Sequence, residues 1–129
     1  MKIPSEKELD RIRRDYPVGT IIELISMSDK QAPPVGTLGE VVGCDSMGDL
    51  LMKWSNGSSL KVILSEDRVR KVAGAITVCN GHRELWRSGK EAADFFLKCM
   101  VSTEGSKCER YSTIYTKLIL GYNVSSDED

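Results

Sequence analysis

Between Thr20 and Val72 the chain is cut into short β-rich runs, each ended by a turn carrying glycine, asparagine, aspartate or proline. No other feature limits the fold so strongly. Strands this short, with turns this frequent, suit a small barrel, since an isolated hairpin is only marginally stable. The runs cover residues 20–25, 37–44, 50–54, 58–64 and 69–72. They are separated by a loop at 29–34, a turn at 45–49, the turn Ser55-Asn56-Gly57 and one helical turn at 65–68. Asn56-Gly57 reads as a hairpin turn, because type I′ geometry needs positive φ at both central residues.

Helices flank this region. Ser5-Glu6-Lys7-Glu8 has the S-x-x-E form of a capping box, which predicts a helix over residues 6–14 that Pro17 stops. After Gly74, residues 75–79 form one more β-rich run ended by Asn80-Gly81. Ser88-Gly89-Lys90-Glu91 opens a helix to about Ser102, with Ala92, Phe95, Phe96, Cys99 and Met100 on one side. Ser106-Lys107-Cys108-Glu109 opens another, striped by Cys108, Tyr111, Tyr115 and Leu118 and closed by Gly121. The short link between them makes an antiparallel hairpin. Trp86, just before the second box, is expected to pack this hairpin against the barrel.

The expected class is therefore α+β, a small SH3-like β-barrel followed by a C-terminal helical hairpin. The expected layout is an N-terminal helix at 1–15, the barrel at 16–73, a strand, knuckle and hairpin at 74–122, and an acidic tail at 123–129 that is loose from Ser125 on.

Charge narrows the function. The chain has 129 residues and a net charge of −1, with 11 acids and 11 bases through Val72 and 8 acids and 7 bases beyond it. A dedicated duplex binder carries a positive excess to neutralise phosphates, so direct DNA binding is not expected. No apolar run is long enough to span a bilayer, and the N-terminus lacks a signal-peptide core. A cytoplasmic address follows, in which Cys44, Cys79, Cys99 and Cys108 stay reduced.

The motifs give little support to catalysis. His82 is the only histidine, and the G-x-S-x-G, P-loop and dinucleotide fingerprints do not occur. A metal site has more behind it. Cys79-Asn80-Gly81-His82 is a C-x-x-H knuckle, and Cys99 and Cys108 would face one another near the closed end of the helix hairpin. Together they would supply a tetrahedral Cys₃His site for a structural zinc, useful to a post-barrel segment too small to be stable easily. The plainer reading treats Cys99 and Cys108 as small core residues. On the barrel, Trp54, Tyr16, Lys53 and Lys61 could line a groove, although a lone barrel tryptophan is more often core. Arg11, Arg13 and Arg14 read as a solvated helix face.

Four motifs in order carry a resemblance: Tyr16-Pro17-Val18-Gly19-Thr20, Ala32-Pro33-Pro34-Val35-Gly36-Thr37, Trp54-Ser55-Asn56-Gly57-Ser58-Ser59-Leu60 and Glu66-Asp67-Arg68-Val69-Arg70-Lys71. Over residues 14–72 the chain resembles a family of small domains found in phages and mobile elements of Gram-positive bacteria. Glu104-Gly105-Ser106-Lys107-Cys108-Glu109-Arg110-Tyr111 is similar to another phage-associated segment, in which a charged residue is usual where Cys108 stands. Proteins of this look occur among inhibitors of type II CRISPR–Cas systems. The resemblance implies a phage-derived anti-CRISPR protein in the bacterial cytoplasm, whose partner is Cas9 or its guide-RNA complex. Asp127, Glu128 and Asp129 would then contact a basic nucleic-acid channel and oppose DNA loading. The rival class is a nucleic-acid-binding or phage-housekeeping module acting through the barrel face.

Overall fold

Ser5 starts the first helix as the capping box predicts: its Oγ accepts the N–H of Glu8 at 3.2 Å, and α1 runs Glu6–Asp15. Tyr16 ends it, its N–H reaching the Ile12 carbonyl at 2.8 Å just before Pro17. The computed structural model describes residues 3–128 and divides into two units, one ending at Val72 and the other beginning at Ala73.

In the first unit, β1 (Ile21–Ser26), β2 (Leu38–Cys44), β3 (Leu50–Trp54) and β4 (Arg68–Lys71) form an antiparallel sheet in the order β3-β2-β1-β4. β3 alternates cleanly, with Leu50, Met52 and Trp54 inward and Leu51 and Lys53 outward, the pattern of a strand buried on one face. These three join Ile22, Leu24, Val41 and Val62 in one core, with Ile12 of α1 packed against it. Register shifts between Val41 and Gly43 and between Leu24 and Ser26 bend the sheet, because a bulge adds local twist.

The run at 58–64 behaves differently from its expectation. Only Val62 pairs, as an isolated bridge with Leu50 held by two 2.9 Å bonds. Side chains take the neighbouring backbone groups instead: Ser58 Oγ accepts from Leu60 N–H, and the Leu60 carbonyl accepts from Trp54 Nε1–H at 2.7 Å. The Asn56-Gly57 turn is also not type I′. Gly57 has φ 92° and its N–H returns to the Trp54 carbonyl, while Asn56 keeps negative φ. That is a type I-like turn followed by a left-handed glycine. Among the described residues the strands pair as an open sheet with β3 and β4 outermost.

The second unit begins with a hairpin, β5 (Ala75–Cys79) and β6 (His82–Trp86), joined by Asn80-Gly81. Here both turn residues have positive φ, 53° and 76°. The type I′ signal therefore belongs to this pair, and β6 is a strand that sequence reading missed. α2 (Gly89–Val101) starts at Ser88, whose Oγ accepts from Glu91 N–H at 3.1 Å. α3 (Ser106–Ile119) starts at its predicted cap, one residue early: Gly105 is the N-cap, and Ser106 is already helical. It ends in a Schellman arrangement, with Tyr122 N–H on the Lys117 carbonyl and Gly121 N–H on that of Leu118. Ala75, Ala92, Ala93, Phe96, Ile114, Leu118 and Val124 make the core. Trp86 is pinned by Nε1–H to Thr77 Oγ1 at 2.9 Å and stacks beside Phe95 and Phe96 at 5.2 and 6.2 Å. The chain as a whole is α+β.

Candidate functional site

The four residues read as metal ligands all lie in the second unit. Cys79 and His82 are directly opposite one another across the Asn80-Gly81 turn, which puts both side chains on one face of the hairpin. Cys79 is half-buried against the helical core, and burial pushes its thiol above the ordinary range. Arg110 opposes that rise; Asp127 and Cys99 add to it. His82 is exposed, 3.6 Å from Glu84. Cys108 is turned to the backbone, its thiol donating to the Met100 carbonyl at 3.4 Å. Among the described residues no group of three or more His, Cys, Asp or Glu side chains is placed to hold a metal ion. As they stand, the four do not form a tetrahedral set.

The segment expected to be loose is docked as far as it is described. Val124 is fully buried, and its N–H bonds the Ile76 carbonyl at 2.9 Å, while Asn123 Oδ1 accepts from Ile76 N–H. Ser126 gives its carbonyl to Arg110, whose guanidinium also reaches the Val78 carbonyl, both at 3.1 Å. Asp127 accepts the Gly81 N–H at 2.8 Å and lies 4.0 Å from Arg110. Backbone bonding along β5 and an anchored arginine fix this stretch, and charge density alone gave no hint of either. Glu128 is exposed; Asp129 lies outside the described residues.

In the first unit Trp54 is core, 2% exposed. Lys53 is exposed, but Lys61 is held by Asp49 at 3.0 Å and Asp45 at 3.4 Å. Asp45 organises the 45–49 turn by accepting the N–H groups of Met47 and Asp49, both at 3.0 Å. Burial raises its pKa, but the Asp49 and Met47 N–H groups and then Lys61 outweigh that and hold the carboxyl below its ordinary value. Arg70 pairs with Glu23, and Arg13 lies 4.0 Å from Asp10. Lys61 and Arg70 are therefore answered by acids within the unit.

Tyr16 is the predicted surface aromatic that does shape a surface. It lines a concavity of about 390 Å³ with Ile25, Leu64, Asp67, Arg68 and Val69. On another side it lines one of about 330 Å³ with Arg13, Pro17, Val18, Gly43 and Cys44. The Lys71 ammonium stands 4.7 Å from its ring centre. In the second unit, Ile119, Leu120 and Tyr122 are 58%, 65% and 65% exposed at the end of α3. Sequence reading missed this cluster because it took Gly121 only as a helix stop. The apolar residues packed around that glycine were the available signal.

Residues 5–72 match a family described as a domain of unknown function, DUF4314. Neither the curated proteins nor the solved structures contain a match.

Proposed function

Since the chain belongs to the DUF4314 family, we propose that it acts by occupying the surface of a protein partner, as a phage-derived inhibitor of Cas9. The observation carrying the binding reading is the Ile119, Leu120 and Tyr122 cluster, three large apolar groups within four residues, each more than half exposed. Contiguous exposed apolar groups mark interaction sites, whereas scattered ones carry no such meaning. Cas9 as the target comes from the resemblance of the four ordered motifs. Asp127 and Glu128, held on the second unit by Arg110 and Gly81 or adjoining them, would face the basic nucleic-acid channel together with Asp129.

In the finer fold reading, the first unit is an SH3-like barrel. The Leu50–Val62 bridge supports it, because it adds a fifth segment beyond β3 and extends the order to β4-β1-β2-β3-fifth. The rival nucleic-acid function has less behind it, since Lys61 and Arg70 are bound to acids within the unit.

The test is cleavage of a target duplex by Cas9–guide complex with the purified chain in excess. Inhibition should weaken at high salt and after combined Asp127→Asn, Glu128→Gln and Asp129→Asn substitution. Full cleavage at all ratios would defeat the Cas9 assignment; a gel shift of DNA or RNA with a steep salt slope would favour the rival. A structural zinc on Cys79, His82, Cys99 and Cys108 is a separate proposal, supported by the Cys79–His82 pairing and requiring Cys108 to leave the Met100 carbonyl. It predicts one zinc per chain, abolished by Cys99→Ser; a metal-free, folded wild type ends it.

A further inference from the structure

β4 is an outermost strand, and the direction of its free edge follows from the ladder. Leu24 gives its N–H to the Thr37 carbonyl and its own carbonyl to Gly36 N–H, both away from β4. Glu23, opposite Arg70, therefore turns its backbone groups toward β4, and Val72 N–H reaches the Ile21 carbonyl at 3.0 Å. By strand alternation, the N–H and C=O groups of Val69 and Lys71 point outward, where no described strand pairs with them. Beside this edge lies the 390 Å³ concavity lined by Tyr16, Ile25, Leu64 and Val69. Around the two concavities stand the cations Arg13, Arg68 and Lys71. The acid among the lining residues is Asp67, whose carboxylate already accepts the Ile63 N–H at 2.8 Å.

We propose that the outer edge of β4, with the Tyr16 concavity beside it, takes an extended acidic segment of a partner protein by strand addition. An added strand repeats its side-chain direction every second residue. One row would place an aliphatic side chain over Leu64 and Val69, on the face that Val69 shares with Lys71, while carboxylates of the other row meet Arg68 and Lys71 adds positive charge along the edge. A second copy of β4 does not suit this edge, because Arg68, Arg70 and Lys71 would face their own kind. A nucleic acid suits it less, because Asp67 stands in the lining and the face of Tyr16 on which a base would stack is already taken by Lys71.

The proposal shares with the function above the premise of a protein partner, though not that partner's identity. The test uses the full chain labelled for NMR, titrated with an alternating Glu–Val peptide, an alternating Lys–Val peptide and a single-stranded oligothymidylate. The Glu–Val peptide should slow amide exchange at Val69 and Lys71 and shift Tyr16, while the Lys–Val peptide does neither. Val69→Pro removes an N–H outside the β1 ladder, so it should weaken the peptide at least about tenfold, with some loss of melting temperature because Val69 packs against the core. Arg68→Glu with Lys71→Glu should reverse the preference toward the Lys–Val peptide, which keeps the test open should the proline variant fold poorly. Failure of the Glu–Val peptide to bind, binding unchanged in both variants, or preferential binding of the oligonucleotide at these amides would each overturn the proposal. The two readings fail separately. A chain that binds the peptide here but leaves Cas9 active sinks only the Cas9 assignment, and the converse sinks only the β4 site.

Discussion

Replacing Gly39 by alanine should unsettle the first unit more than any other one-methyl change. Gly39 lies in β2 opposite Trp54, and a Cβ there would stand 2.5 Å from Trp54 Cε3 and 2.9 Å from Met52 Cε. Real Cβ atoms do not tolerate such distances, so the indole would have to move. It is fully enclosed and tied by Nε1–H to Leu60, and moving it forfeits that bond. Overpacking a close-packed core costs about 1–3 kcal/mol, and a lost hydrogen bond about 1 kcal/mol. Stiffening the unfolded chain returns about 0.4–1 kcal/mol. The net is a destabilisation of about 1–3.5 kcal/mol, or roughly 4–28 °C in the melting temperature of a unit this size. Calorimetry would measure it, and exchange of the Trp54 indole N–H would localise it, since that proton is protected only while the unit is closed. Adding Trp54→Phe, which removes Cε3, the nearest colliding atom, should recover at least about 1 kcal/mol relative to additivity. A Gly39→Ala protein within about 0.5 kcal/mol of wild type, or strict additivity in the double variant, would refute the reasoning.

Other outcomes follow from the same geometry. Arg110→Ala should cost about 1–3 kcal/mol by stripping the Val78 and Ser126 carbonyls of their donor, and should speed amide exchange at Gly81 and Val124; unchanged exchange would contradict the docking. Ser88→Ala should lower stability by about 1 kcal/mol, whereas Ser106→Ala should be close to neutral because Gly105 is the cap; equal effects in thermal melts would refute this distinction. Asp45→Ala should cost about 1–2 kcal/mol through the lost Met47 and Asp49 bonds. Because the folded pKa of Asp45 is lowered, the charge-dependent part of its contribution is present above its unfolded value of about 3.9 and is lost as pH falls through the folded value. Urea titrations of wild type and Asp45→Asn should therefore converge at acid pH, and a gap that widens there would reverse the sign argued.

Much of the fold was legible because local chemistry and tertiary structure agree. Ser5 and Ser88 cap as their spacing predicts, Gly121 closes α3, and the short runs at 20–25, 37–44 and 50–54 pair as strands. The misreadings arose where one dipeptide has two outcomes. Asn-Gly is compatible with both a type I′ turn and a type I turn with a left-handed glycine. The flanking strand pairing decides, and at Asn56 the Trp54 indole claims the Leu60 carbonyl that a regular ladder would use. The surface was less legible. Nothing in residues 16–18 alone says that Tyr16 separates two concavities, because Arg68 and Val69 reach it only through the β1–β4 pairing. The docked run after Gly121 escaped notice because Asn123 meets Ile76, 47 positions earlier.

That last contact bears on how the chain matures on the ribosome. A core that includes Val124 cannot finish assembling until this residue has cleared the exit tunnel, whereas the sheet of the first unit is complete once Lys71 emerges. Translation therefore imposes an order: the earlier unit can fold while synthesis continues, and β5 waits, its edge bare, for a stretch not yet made.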